Sequence, residues 1–252
     1  MVGGAVLIGL SYSALMLDDA TVYRIGREDG LFEDLTAVAF FLASLVFLYL
    51  FLRRREGNDL LVVKTRRNVF FLFLSLLFFL GAGEEISWGQ RIIGWDTPDG
   101  WRDVNLQGET NLHNLNVFHR RDETGATKSG LMLMLNAERL FSLFWFGFCI
   151  MVPLLDLTWP AFRRLMQRIG MPIVPLLVGL LFLANYVIAK ALEAHAASRQ
   201  LGWPLVEIKE FLFGALFFIV AIYFLVSRTT SPTPAVKPSE ERPEAPVTGK
   251  EG

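Results

Sequence analysis

Glu84 and Glu85 stand side by side near the end of an apolar run, and Glu109 and His113 follow one loop later. Paired carboxylates can act as general base, as metal ligand or as half of an ion pair. A Glu and a His four residues apart can bind a metal, or the carboxylate can orient the imidazole for proton transfer. Residues 68–83 are almost wholly apolar and follow Arg66 and Arg67. A helix begun at Asn68 lifts Glu84 about 24 Å, within a hydrocarbon layer about 30 Å thick. A carboxylate at that depth is costly unless it is paired, neutralised or facing water. An ion pair with Arg91, two helical turns on, meets that need in one way. A polar site roofed by the loop 86–130 meets it in another.

Other ionisable residues fall at the same level. Asn136, Glu138 and Arg139 open one apolar segment, while Asn185, Lys190, Glu193 and His195 lie along the far part of the next. Counting back from Arg228 at ~1.5 Å per residue, Glu210 stands about 27 Å up and Glu207 one turn higher. The opposite halves of these segments are nearly bare of charge, and intramembrane charges normally face a bundle interior or a wet cavity. The economical inference is one shared polar pocket. Interfacial side chains reaching for water are the alternative for Glu138, Lys190, Glu193 and Glu207.

The loop adds a second element. Leu112, Leu115 and Phe118 recur at helical spacing, so 110–119 is expected to form a short amphipathic helix on the membrane surface. On it Glu109, His113 and Asn116 would share a side. His113, His119 and His195 are the only histidines. They supply raw material for a divalent metal such as zinc, with a Glu or Asp ligand, although no dense ligand motif occurs and H-x5-H does not put both rings on one helix face. There is no Walker A loop, no G-x-S-x-G and no G-x-G-x-x-G.

The elements that must position these residues are membrane spans. With 53% hydrophobic residues, 22 Phe and a mean hydropathy of +0.41, the composition is that of a membrane chain. A net charge of −1 gives no reason to expect nucleic acid. Cys149 is the single cysteine, so no intramolecular disulfide forms. Six apolar segments, near 2–17, 35–52, 68–83, 137–155, 172–194 and 207–226, predict an all-α bundle of about six transmembrane helices. The first lacks the basic start and small-residue cleavage site of a secretory signal and reads as a retained span. Arg53, Arg54, Arg55, Lys64, Arg66 and Arg67 crowd one short loop and Arg163, Arg164 and Arg168 another. Positive charge marks that side as cytoplasmic, with both termini there and the 86–130 loop outside. The fold unit is 1–228. The tail 229–252 holds five of the eleven prolines and reads as disordered.

The tract EEISWGQR followed by NLQGETNLHN resembles a signature shared by a group of bacterial multi-spanning membrane proteins without an assigned function. The likeness covers 81–114. It implies a common polytopic architecture and supplies no reaction. Glu84, Glu85 and Arg91 also resemble the paired Glu and Arg of the CAAX-protease-like family, but that pattern needs E-E-x-x-x-R and five residues intervene here, so its activity is not carried over.

The leading expectation is a membrane enzyme, a hydrolase or transferase acting on a lipid-linked or membrane-borne substrate. Glu84 or Glu85 would be general base or metal ligand, with Glu109 and His113, and His119 or His195, as shuttle or ligand. Arg91, Gln90, Asn114, Glu138, Arg139, Lys190, Glu193, Glu207 and Glu210 would line the substrate side, the arginines holding a phosphate or carboxylate. The rivals are a proton- or cation-coupled carrier or channel using the same carboxylates and a non-catalytic assembly or docking protein. Protein partners are not indicated.

Overall fold

The computed structural model of the chain describes residues 2–27, 30–53, 59–60, 63–64, 67–105, 108–118, 126, 128–130 and 135–230. Leu, Phe, Val and Ala fill the long segments, and helix is the element that satisfies its own backbone in lipid. Helix α1 (Val2–Ser13) runs on through a 3-10 turn at Ala14–Met16. Helix α2 (Asp19–Ile25) follows, too short and polar to show in the apolar pattern. Asp18 caps it, and hydrogen bonds from the Thr21 side chain and N–H hold its carboxyl below the usual range.

Next come α3 (Leu31–Leu52), a two-residue antiparallel pairing of β1 (Asp59–Leu60) with β2 (Val63–Lys64), and α4 (Val69–Glu85). Two single-turn helices, α5 (Gln90–Ile93) and α6 (Asp99–Arg102), lie in the loop beyond. Then α7 (Ala137–Phe146), a π-helical turn at Gly147–Met151 and α8 (Val152–Thr158) form one rod. It is followed by α9 (Pro160–Ile169), α10 (Leu176–Ser198) and α11 (Gly202–Thr230).

Four of these, Leu31–Leu52, Ala137–Thr158, Leu176–Ser198 and Gly202–Ser227, are long and apolar enough to cross a membrane. That is the signature of an integral membrane protein. The apolar helix Val2–Met16 is shorter, and α4 has 17 residues. The third segment does not continue as helix to Arg91: α4 ends at Glu85. At the other end of the chain, α11 runs through Thr230, two residues into the stretch expected to be a disordered tail, and 231–252 lies outside the described residues.

Helix α3 packs along both α4 and α11, and α10 lies on α11. Closely packed phenylalanine rings fill the centre. Phe217 sits 4.7 Å, ring centre to ring centre, from both Phe78 and Phe182, and all three are buried. Small residues let the backbones close in, as lipid-embedded helices require. A Cβ on Gly214 would stand 3.4 Å from the Thr36 carbonyl of α3. A Cβ on Gly179 would stand 1.9 Å from the Cys149 carbonyl oxygen, so α10 presses directly on the π turn. Ser44 and Ser75 oxygens lie 3.4 Å apart between α3 and α4.

The basic stretch after α8 is a helix where the sequence suggested a loop. On α9, Phe162, Leu165, Met166 and Ile169 share one side, while Arg163, Arg164, Gln167 and Arg168 share the other. Ten residues are too few to span, and the pattern suits a helix lying in the interface.

Candidate functional site at the end of α4

The site is built where α4 stops. Ser87, Trp88 and Gly89 all have positive φ (45°, 54° and 81°), a left-handed turn that reverses the chain. For Ser87 and Trp88 such a backbone costs of order 1–3 kcal/mol each and persists only when the surroundings fix it. They do. The Trp88 indole folds back over α4, where a Cβ on Gly83 would meet it at 2.9 Å, and its Nε1 donates to Glu84 Oε1 at 2.8 Å. Ser87 is fully buried and donates to Glu109, and Asn111 Nδ2 donates to Ser87 Oγ (3.1 Å) and to Glu109 Oε2 (3.0 Å).

The second tract folds around these anchors. Asn105 Nδ2 donates to the Asn111 carbonyl and side-chain oxygens (2.9 and 3.0 Å), and the Glu109 N–H donates to Asn105 Oδ1 at 3.2 Å. Gly108 (φ 66°) makes that turn possible, and an isolated bridge joins Asn105 to Leu115. Gln90 ties the loop together from the other side: its Oε1 accepts from the Thr110 N–H (2.8 Å) and its Nε2 donates to Thr97 Oγ1 (2.6 Å). Asn105, Asn111, Asn114 and Thr97 are all buried. The two tracts are therefore one polar-cored cap.

Glu84 latches the cap to the bundle. Its Oε2 accepts from the N–H groups of Leu112 (2.6 Å) and His113 (2.9 Å), and His113 Nδ1 lies 3.3 Å away. The Glu84 side chain is 15% exposed and that of His113 is 45% exposed, so the imidazole sits at an exposed rim of the cap. Behind it, Glu210 is within electrostatic reach of His113, Lys209 and Glu138. Glu85 is within reach of Glu84, Glu33, Glu207 and Glu210. Glu33 and Glu207 are buried, while Glu85 and Glu210 are partly so. Lys209, only 15% exposed, lies 3.4 Å from Glu138 and 4.0 Å from Glu210. Among the described residues, helices α3, α4, α7 and α11 thus bring Glu33, Glu85, Glu138, Glu207, Glu210 and Lys209 into one chain of electrostatic contacts.

Several expectations are corrected. Residues 110–118 are not an amphipathic helix but turns, a bridge and a 3-10 turn at Asn116–Phe118, so Glu109 and His113 share no helix face. The side-chain amides and Glu109 bind loop backbone and one another in place of an i→i−4 ladder. Glu109 and Gln90 are ties within the cap. Lys190 and Glu193 pair with each other on an exposed face of α10. His195 is exposed near the end of α10 and is not a partner of Glu84. Arg139 is half-buried in the first turn of α7, its N–H donating to Asn136 Oδ1 (3.1 Å). His119, and the Arg91 side chain with its proposed ion pair, lie outside the described residues.

The sequence reading missed Lys209, Glu33, Ser87 and Asn111. Lys209 had a signal, as the one cation beside Glu207 and Glu210. Ser87 and Asn111 had none beyond membership of the two tracts. Among the described residues no three His, Cys, Asp or Glu side chains come together as metal ligands. Glu84 and His113 alone do not fit a zinc site, and no step is derived through one. The chain matches no family model, no curated protein and no solved structure.

Proposed function

We propose that the chain is a membrane enzyme working at the end of the bundle capped by 86–118, on a lipid-linked or membrane-borne substrate. One observation carries this reading: an exposed imidazole is oriented at Nδ1 by a carboxylate, with a second, partly buried carboxylate, Glu210, within its electrostatic reach. An oriented imidazole moves protons near neutral pH, worth typically 10²–10⁴-fold in rate. His113 is the acid–base group and Glu84 its positioning residue. Lys209 is the cation that meets a substrate phosphate or carboxylate. The bundle crosses six times, with α1 and α4 as the shorter spans, and both termini are cytoplasmic. The basic residues after α3 and on α9 support that direction.

The test is to reconstitute wild type and His113→Ala into vesicles of total host lipid and follow each lipid species by mass spectrometry. Consumption by wild type and not by the variant is expected. Equal consumption by both would sink the role of His113.

A specific observation also supports a carrier. Glu85 lies within electrostatic reach of Glu33, Glu207 and Glu210, and carboxylates gathered within a bundle mark proton and ion pathways. Proton flux across those vesicles, read with an entrapped pH dye and lost in Glu85→Gln while no lipid is consumed, would favour that reading over the enzyme.

A further inference from the structure

At the opposite end of α4 the chain holds a cavity that the capped site does not use. Val69 and Phe73 of α4 form one wall, Phe148 and Val152 of the π turn and its continuation another, and Met171 and Pro172 the floor. Its volume of about 500 Å³ lies within the roughly 300–1,000 Å³ range of ligand sites, and every wall residue is apolar. The π turn shapes it. An extra residue in that turn displaces the rod's backbone locally, and Gly179 lets α10 close behind it.

The floor is fixed to charge. Met171 and Pro172 follow directly on α9, whose arginines point away from its apolar side. Asn68, the cap of α4, donates to the Gly170 carbonyl at 2.6 Å and holds the end of α9 against the start of α4. Arg164 and Arg168 are exposed one turn apart, within eight residues of the floor. Arg67 is turned elsewhere, over the Phe51 ring at 5.4 Å, and takes no part.

We infer that this cleft binds one anionic phospholipid, with an acyl chain between α4 and the π turn and its phosphate at Arg164 and Arg168. Charge complementarity decides the occupant. An apolar cleft alone would take any lipid, but two exposed arginines on the helix that leads into its floor favour a negative one. The preference this predicts is about tenfold.

The test uses the full-length protein, delipidated in detergent and titrated with dioleoyl phosphatidylglycerol or dioleoyl phosphatidylcholine under native mass spectrometry. Wild type should retain a single phosphatidylglycerol about tenfold more tightly than phosphatidylcholine. R164Q/R168Q should bind the two alike, and V152F, which fills the cleft, should lose the first tight lipid of either kind. Glycerol phosphate should fail to displace the lipid. Equal retention of both lipids by wild type, an undiminished preference in R164Q/R168Q, or displacement by glycerol phosphate would overturn the inference. The arginine pair is exposed, so that variant keeps the experiment decisive even where V152F fails to fold.

Discussion

Glu84 binds the main chain of His113 as well as its ring, accepting from the His113 N–H at 2.9 Å with Nδ1 at 3.3 Å. Twenty-nine residues separate them, yet the end of α4 and the tip of the loop act as one unit. That double role means a change at Glu84 disturbs fold and chemistry together, whereas a change at the His113 ring touches chemistry alone.

The first prediction follows from that asymmetry. Glu84→Gln keeps the shape but weakens charge-assisted bonds from two N–H groups and Trp88, each worth about 1.5–3 kcal/mol. It should lower the melting temperature in detergent and expose the 105–115 region to protease. His113→Ala should leave both unchanged while cutting turnover by about 10²-fold or more. Equal melting of the two variants would show that Glu84 does not latch the loop.

A second prediction concerns the buried amide of Asn111, which reaches Ser87, Glu109 and Asn105 at once. Asn111→Ala leaves the Glu109 carboxylate and the Asn105 amide short of partners, a penalty of about 1–3 kcal/mol. Amide exchange in 104–116 should quicken in this variant, while exchange in α3 and α11 stays as in wild type.

The spans were legible because each long segment repeats Leu, Phe and Ala with few charges, and length alone then favours a helix. Depth is a linear count along a helix, so the sequence could set Glu84, Glu85, Glu138, Glu207 and Glu210 at one expected level. The structure adds Lys209, 3.4 Å from Glu138 and 4.0 Å from Glu210. The cap was not. Leu112, Leu115 and Phe118 match helical spacing, but Gly108 turns left-handed and Asn105 and Asn111 bind the loop backbone. Those choices depend on Ser87, far away in sequence. Residue type alone brought in His195, which is exposed in the last turn of α10. Lys209 was passed over although it stands beside Glu207 and Glu210 in the sequence, because only its distances to Glu138 and Glu210 show which carboxylates it serves.

A third prediction tests direction. Reporter fusions after Arg67 and after Arg168 should read cytoplasmic, and one near Asp122 extracytoplasmic, because the basic residues after α3 and on α9 set the orientation. A periplasmic signal at Arg67 would place the cap and the carboxylate cluster on the cytoplasmic side.

A fourth prediction uses Gly179. A Cβ added there would lie 1.9 Å from the Cys149 oxygen, a backbone atom that cannot swing aside as a side chain can. Gly179→Ala should therefore separate α10 from the π turn and destabilise by about 1–3 kcal/mol, the range for overpacked sites. Gly94, with nothing within 4 Å of an added Cβ but a φ of 78°, should cost only its backbone strain. Paired thermal melts of the two alanine variants check this order.

The last prediction isolates Lys209. It is the ammonium nearest Glu210, at 4.0 Å, and its own carbonyl accepts from Asn185 Nδ2 at 3.0 Å, while Tyr12 donates to Asn185 Oδ1 at 2.6 Å. The main chain at Lys209 is thus fixed by α10 and α1, so changing its side chain removes charge without freeing the helix. Lys209→Met should destabilise, because it leaves Glu210 facing Glu85 and Glu138 without its cation. Glu210→Gln alone should be milder, since it also relieves the crowding at Glu85. The double variant should recover part of the loss, giving a coupling of about 0.5–3 kcal/mol in a mutant cycle followed by denaturation. Simple additivity would mean that solvent, not Lys209, compensates Glu210. A cluster compensated by solvent would be open to ions from the capped end, and the carrier reading would gain at the expense of the enzyme.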